Sequence, residues 1–366
     1  MENLDLLWMN WRDIRNPEAG GAEVFTHEVA RRWAAAGHSI TLFTSSFPGC
    51  REKEVIDGVR IIRRGGRYAV YWEAKRSYYG SLRHEKYDVV VDEINTRPFL
   101  TPKFIKGKEV IFGLIHQLAR EYWFYETPFP LSWIGYHILE KRWLRNYINV
   151  CVVTVSESTR KDLQDFGLKK VWVVPQGLSV RPLDSLPRKE ETPTMIFVGR
   201  MKRAKLPHHA IKAYRAVSKR IPDAQLWMVG DGYLKESLKA QAPPGVRFFG
   251  KITDGEKFDL LKRAHLLVMP GLREGWGLVV TEANALGTPA VAYDVPGLRD
   301  SVKDNVTGLL VPFGDIERLS EKATRLLENE KLRGSLAKNA LEWSRQFSWD
   351  NTAREFMQTI MSNIHS

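Results

Sequence analysis

Cysteine is nearly missing from this chain. Its 366 residues hold two, Cys50 and Cys151, in no redox or zinc-binding spacing, which excludes a disulfide scaffold and points to a reducing compartment. Long apolar runs are missing as well, since no stretch approaches the roughly 20 residues that span a bilayer. The opening "MENLDLLWMNWRD" has acids where a signal peptide carries lysines, and its apolar run is short. The expectation is a cytoplasmic chain, soluble or associated with the cytoplasmic face of a membrane. No low-complexity tract and no short internal repeat stands out. Acids are in deficit: 43 Asp and Glu stand against 55 Lys and Arg, a formal charge of +12. The excess is shared by both halves, which suits anionic ligands or surfaces better than a dedicated basic arm. No nucleic-acid recognition motif accompanies it, so no nucleic-acid partner is expected.

What is present is the composition of a folded protein, 43% hydrophobic and 11% aromatic, in a chain long enough for two domains. Apolar runs alternate with amphipathic stretches. Ser39–Thr44, Asp88–Val91, Val110–Ile115, Val150–Val155 and Val171–Val174 read as strands. "AEVFTHEVARRWAAAGH" spaces Val24, Val29 and Trp33 as a helix does, and Gly37 stops it. This order is βαβ, which implies a parallel sheet covered by helices. "SVRPLDSLPRKEETPT" is rich in proline and charge and reads as a linker. The pattern then restarts with strands at Met195–Val198, Gln225–Val229, Val246–Phe249, His265–Met269, Ala290–Tyr293 and Gly308–Val311. Two α/β halves meeting at a cleft are expected, with ligand at the carboxyl ends of the strands.

Three glycine turns are candidate anion sites. "NPEAGGAE" opens a helix through Gly20 and Gly21; alone it fits equally a tight strand–helix turn. "FVGRMKRAKL" ends a strand and places Arg200 and Lys205 five apart in a strongly positive loop. A solvated basic loop is one reading; a diphosphate site built from an Arg fork and a Lys point charge is the other. "REGWGLVVTEANALGTPAV" sets Glu274 and Glu282 on either side of Gly275–Gly277. Leu278–Val280 could be a buried strand, yet Thr281–Leu286 reads as helix. If a helix starts after Gly277, its free N–H groups near Leu278 and Val279 face an anion, and Glu282 lies roughly 6 Å further along the axis. One acid then suits a ribose and the other a sugar, with diphosphate between. Two surface acids flanking a helix start would look the same if this stretch stood alone.

"GRMKRAK", "MVGDG", "PGLREGWGLVVTEANALGTPAVAYDVPGLRD" and "GLLVP" together resemble the GT-B glycosyltransferases of family GT4, which are retaining and use sugar nucleotides. "GGAEVFTHEVARRWAAAGHSITLFT", "IHQ" and "VTVSES" match more loosely, so the resemblance covers nearly the whole chain. It implies two Rossmann-like domains facing across a cleft: 1–180, completed by a C-terminal helix at 350–366 that crosses back, and 194–349, joined by 181–193. It implies that Arg200 and Lys205 neutralise the leaving diphosphate, Glu282 binds ribose and Glu274 the donor sugar. Gly275, Trp276, Gly277, Leu278 and Val279 would line the sugar and phosphates, and Gly250 and Ile252 would meet the base. Gly20 and Gly21 would close over the site, with His116 near the reacting carbon. The donor would be a UDP- or GDP-sugar and the acceptor a glycan, glycolipid or small molecule. Three positions depart from the family pattern: Leu206 for glycine, Gly271 for serine, and Gln176 for asparagine. Gln176 is expected to change turn chemistry alone, whereas Gly271 bears on donor identity.

No Asp-x-Asp occurs, so neither a metal nor a cofactor is expected, and the basic loop takes the task of neutralising the diphosphate. Other readings of the architecture are a nucleotide-sugar 2-epimerase and a non-catalytic sugar-nucleotide-binding protein. The segment Arg120–Tyr147 carries nine aromatics with Lys141, Arg142 and Arg145 near its end. It reads either as an interfacial element on anionic lipid or as a packed helix pair. The site assignment predicts that Lys205→Ala and Glu282→Gln each lower turnover at least ~100-fold, the loss expected when charge stabilisation or donor positioning goes. Near-parental steady-state kinetics in both variants would remove it.

Overall fold

The computed structural model describes residues 3–364; residues 1–2 and 365–366, which the expected N-terminal stretch and C-terminal helix include, lie outside the described residues. The chain forms two compact units. The first comprises Met1–Arg120, Trp133–Gly177 and Ser348–Ser366, and the second Glu121–Ser132 and Leu178–Phe347.

The first unit is built on β1 (Asp5–Met9), β2 (Ser39–Thr44), β3 (Lys53–Ile56), β4 (Val59–Arg63), β5 (Val89–Glu93), β6 (Val110–Ile115), β7 (Cys151–Thr154) and β8 (Val171–Val173). They lie in the order β3-β4-β2-β1-β5-β6-β7-β8, with every pair parallel except β3–β4. Trp8 at the centre sits between Leu42 and Val91. The helix Trp349–Ile364 completes this unit. Trp33 donates its indole N–H to the Ala353 carbonyl at 2.9 Å, and Phe356 packs against the rings of Trp8, Phe25 and Trp33. Gly177, at the unit's edge, is obligatory: a Cβ there would penetrate the backbone of Trp349.

The second unit carries β9 (Thr194–Val198), β10 (Gln225–Val229), β11 (Val246–Gly250), β12 (Leu266–Met269), β13 (Ala290–Tyr293) and β14 (Gly308–Val311). Their order is β11-β10-β9-β12-β13-β14, all parallel. All five residues of β9 are buried, with β10 on one edge and β12 on the other; strands buried in this way read as unbroken apolar runs. The chain runs outward from β9 to β11, then returns to start again at β12. That reversal makes β9/β12 the switch point, where the connecting loops diverge and leave a crevice at the carboxyl ends.

Two sequence boundaries need correction. The stretch 181–193 is not a free linker. Leu183 and Glu190 donate backbone N–H groups to Ala285 and Arg263, and Lys189 Nζ reaches Thr288 at 2.7 Å and the Lys262 carbonyl at 3.0 Å, which fastens it to the second unit. Residues 121–132, drawn as part of a continuous 1–180 domain, also belong to the second unit. Strands β1, β3 and β4 were not read from the sequence at all. Among the described residues no helix is long and apolar enough to cross a membrane.

Candidate active site

The switch point of the second unit gathers most of the expected residues. β9 ends at Val198, and the loop that follows runs through Gly199, exposed Arg200 and a one-turn helix, Arg203–Lys205. On the other side of the crevice, the loop after β12 carries Glu274. The two loops are joined by the Leu272 N–H donating to the Ala204 carbonyl at 3.0 Å and by an ion pair between Lys205 Nζ and Glu274 Oε1. Burial pushes the Lys205 ammonium down, but the carboxylate of Glu274 outweighs it and the net shift is upward, so Lys205 is a fixed cation. Glu274 is itself held from behind, its N–H donating to the Pro296 carbonyl at 3.0 Å. At Gly271, where the family pattern has serine, a Cβ would stand 3.0 Å from Glu274 Oε1. The glycine therefore keeps a hydroxyl-bearing side chain away from that carboxylate.

The ambiguity at Leu278–Val280 resolves as helix, over Leu278–Ala285. Gly277 caps it with φ +87°, a left-handed conformation that side-chain-bearing residues avoid, and this turns the chain from the loop into the helix. Leu278 and Val279 are half-buried, so the helix start is reachable, whereas Trp276 is buried against Phe347. Glu282 lies deeper on the same helix, 4% exposed. Burial raises its pKa, and Lys257 opposes that rise by presenting its ammonium 3.0 Å from both carboxylate oxygens. Gly250 ends β11 with φ +71°, and Ile252 directly precedes Thr253, which caps the helix Asp254–Arg263 that carries Lys257.

Gly20, Gly21 and His116 fall in the first unit, at the carboxyl ends of its strands. Gly20 caps the helix Gly21–Ala35, and its N–H donates to Glu23 Oε2 at 2.6 Å. His116 follows β6 and is buried. Gln176 donates to its Nδ1 at 3.2 Å, which puts the ring proton on Nε2, 3.2 Å from Glu93 Oε1. Glu93 also accepts from the indole of Trp8 at 2.8 Å and from Thr26. Gln176 thus does more than alter a turn, which corrects the sequence expectation: its longer amide reaches the histidine and sets its tautomer.

Sequence reasoning missed Lys257 and the helix Tyr122–Glu126. Lys257 follows the Thr253–Glu256 capping box and looks like an ordinary solvated-face lysine; its pairing with Glu282 exists only once the chain has folded. Tyr122 and Glu121 contact Arg273, and Glu126 accepts the Ala204 N–H at 2.8 Å. Clustered aromatics were the available signal, but nothing in the sequence said which unit they join.

Two doubly wound units built on mainly parallel sheets, one with cations and carboxylates at its switch point, define the class of fold as GT-B. Solved structures agree in fold: sucrose-phosphate synthase from Thermosynechococcus elongatus has a TM-score of 0.78 at 21% identity, over 98% of this chain and 99% of that one. Anabaena Alr3699/HepE, solved in complex with UDP-glucose, has a TM-score of 0.73 at 15% identity, over 98% of this chain and 100% of that one. Residues 19–181 match the model for Glycosyltransferase Family 4, and residues 183–343 that for glycosyl transferases group 1. The D-inositol 3-phosphate glycosyltransferase of Corynebacterium urealyticum is 31% identical, across 94% of this chain and 91% of its own length. The chain belongs to the group 1, family 4 glycosyltransferases, and it is an enzyme of glycosyl transfer.

Removing Lys257 leaves a carboxylate buried without its cation. Lys257→Met should lower the stability of the second unit by about 3 kcal/mol in urea unfolding, as breaking a buried ion pair does. The double variant with Glu282→Gln should lose less than the two single losses combined. Strict additivity would show that the pair is not coupled.

Proposed function

We propose that this enzyme moves a hexosyl group from a UDP- or GDP-sugar to a hydroxyl acceptor with retention of configuration and without a metal. The reading is carried by the Lys205–Glu274 pair at the switch point, one helix start away from buried Glu282. A diphosphate brings two or more negative charges; Arg200, Lys205 and the N–H groups at Leu278 and Val279 neutralise them. Glu274 is then left to accept hydrogen bonds from sugar hydroxyls, and Glu282 from the ribose. Gly275, Gly277 and Trp276 line the sugar and phosphates, and Gly250 and Ile252 the base. In the reaction the bond from the anomeric carbon to the diphosphate oxygen breaks and a bond to the acceptor oxygen forms on the same face. The acceptor's proton passes to a phosphate oxygen, and the products are a glycoside and a nucleoside diphosphate. Metal independence is supported by the lack of any Asp-x-Asp in the chain and by the cations of the loop.

The first unit, with Gly20, Gly21 and His116, is assigned to the acceptor side. A phosphorylated cyclitol, as in the name of the corynebacterial relative, joins glycans and glycolipids as an acceptor to test. Peripheral contact with anionic membrane is supported by the exposed Trp133 and Ile138 beside exposed Lys141, Arg142 and Arg145. It would appear as sedimentation with anionic liposomes at low salt.

A screen of UDP- and GDP-sugars against these acceptors, read by nucleotide release and by mass spectrometry of the product, tests the assignment. One donor should release nucleoside diphosphate only when acceptor is present, with the rate unchanged by EDTA. Nucleotide release that ignores acceptor, or a rate abolished by EDTA, would contradict it.

A further inference from the structure

The helix Tyr122–Glu126 has no side-chain cap, no fully buried residue, and too few residues to persist alone. Its partners explain why it forms. Glu126 Oε1 accepts the Ala204 N–H at 2.8 Å; Oε2 accepts the hydroxyl of Tyr233 at 2.9 Å; and Tyr233 in turn accepts the Arg203 N–H at 2.9 Å. One carboxylate, directly and through a phenol, thereby satisfies two backbone donors of the turn that carries Lys205. That turn has no capping side chain of its own. Tyr122 lies under the same loop, with Lys202 Nζ 5.0 Å from its ring centroid, and its hydroxyl reaches the Arg273 carbonyl at 3.3 Å. The helix therefore touches both loops of the switch point, after β9 and after β12.

Lys202 and Arg203 are the two cations of this loop to which neither the motif nor the family resemblance gives a role; Arg203 is exposed, whereas Lys202 is half-buried against Tyr122. The charges that act most strongly on Lys202 are Arg200 and Lys205 from its own loop, Glu126 from the short helix and Glu274 from the loop after β12. Burial, then Arg200 and Lys205, push its ammonium down to about 8, while the two carboxylates oppose that fall. Glu274 is already paired with Lys205, so Glu126 is the carboxylate left to balance Lys202.

We propose that Glu126 and Tyr122 are positioning residues of the donor subsite, fixing the basic loop and holding Lys202 as a third cation toward the leaving diphosphate. This rests on the nucleotide-sugar reading of the Arg200–Lys205 loop. An anion favours the protonated ammonium, so the Lys202 contribution is full at low pH and fades as pH rises through about 8. Without the Glu126 charge that fading begins at lower pH.

Calorimetric titration of the whole 366-residue chain with UDP and with GDP, at about pH 6.5, 7.5 and 8.5 and equal ionic strength, reads this directly. For whichever nucleotide binds, Glu126→Gln should weaken affinity about tenfold at pH 7.5, the worth of one charge-assisted contact, with a smaller deficit at pH 6.5. Tyr122→Phe, which keeps the ring under Lys202, should bind within threefold of the parent, whereas Lys202→Met should lose affinity at pH 7.5 and flatten the pH dependence. A Glu126→Gln deficit equal at all three pH values, or parental binding by Lys202→Met, would overturn the proposal; should Glu126→Gln not fold, Lys202→Met decides. Lys205→Ala separates the two layers. If it binds nucleotide undiminished, the donor-loop reading falls and this proposal with it. If it alone loses binding, only the proposal falls.

Discussion

The pair of Lys205 and Glu274 is the contact on which the rest of the site depends. It joins two loops that the fold throws apart, one after β9 and one after β12, at the place where the strand order reverses. A parallel sheet of order β11-β10-β9-β12-β13-β14 makes that reversal unavoidable, because the chain must return to the centre to begin its second half. The loops diverge there, and whatever binds must be met from both sides. The carboxylate on one side holds the buried ammonium on the other in its charged form against the cost of burial.

The same economy recurs one turn deeper. Glu282 is buried to a degree that raises its pKa, and Lys257 answers it from a neighbouring helix. The second unit thus carries two opposite-charge pairs along one helix, Leu278–Ala285: Lys205–Glu274 before its start and Lys257–Glu282 within it. Between them the unpaired N–H groups that follow Gly277 supply a fixed positive end. Charge therefore alternates along this line, which is the feature the proposed reading rests on.

Much of this was legible in the sequence, and the reasons for the gaps are physical. Strands β9, β10, β13 and β14 are buried on both faces, so they stand out as short apolar runs bounded by turn residues. Leu278–Val280 could not be typed from pattern, since three apolar residues fit a strand or a buried helix; the backbone of Gly277 settles it. The hairpin β3–β4 hid because its strands carry Lys53, Glu54, Arg60 and Arg63. Arg200, Lys205, Glu274 and Glu282 could be named as candidates from the sequence because their spacing within one loop or one helix is local. Lys257, Glu126 and the Gln176–His116 bond were not, since each joins residues 25 or more apart in sequence. Side-chain pairing at that range belongs to the folded chain, and no window of sequence holds it.

The central claim is that the loop beginning at Arg200 and the helix beginning at Leu278 serve one diphosphate. A crystal structure with the bound nucleoside diphosphate measures this directly. The account predicts a β-phosphate within hydrogen-bonding distance of Lys205 Nζ and of the N–H groups at Leu278 or Val279, with the ribose hydroxyls on Glu282. A nucleotide bound with its phosphates on only one of those elements, or elsewhere on the second unit, would contradict it.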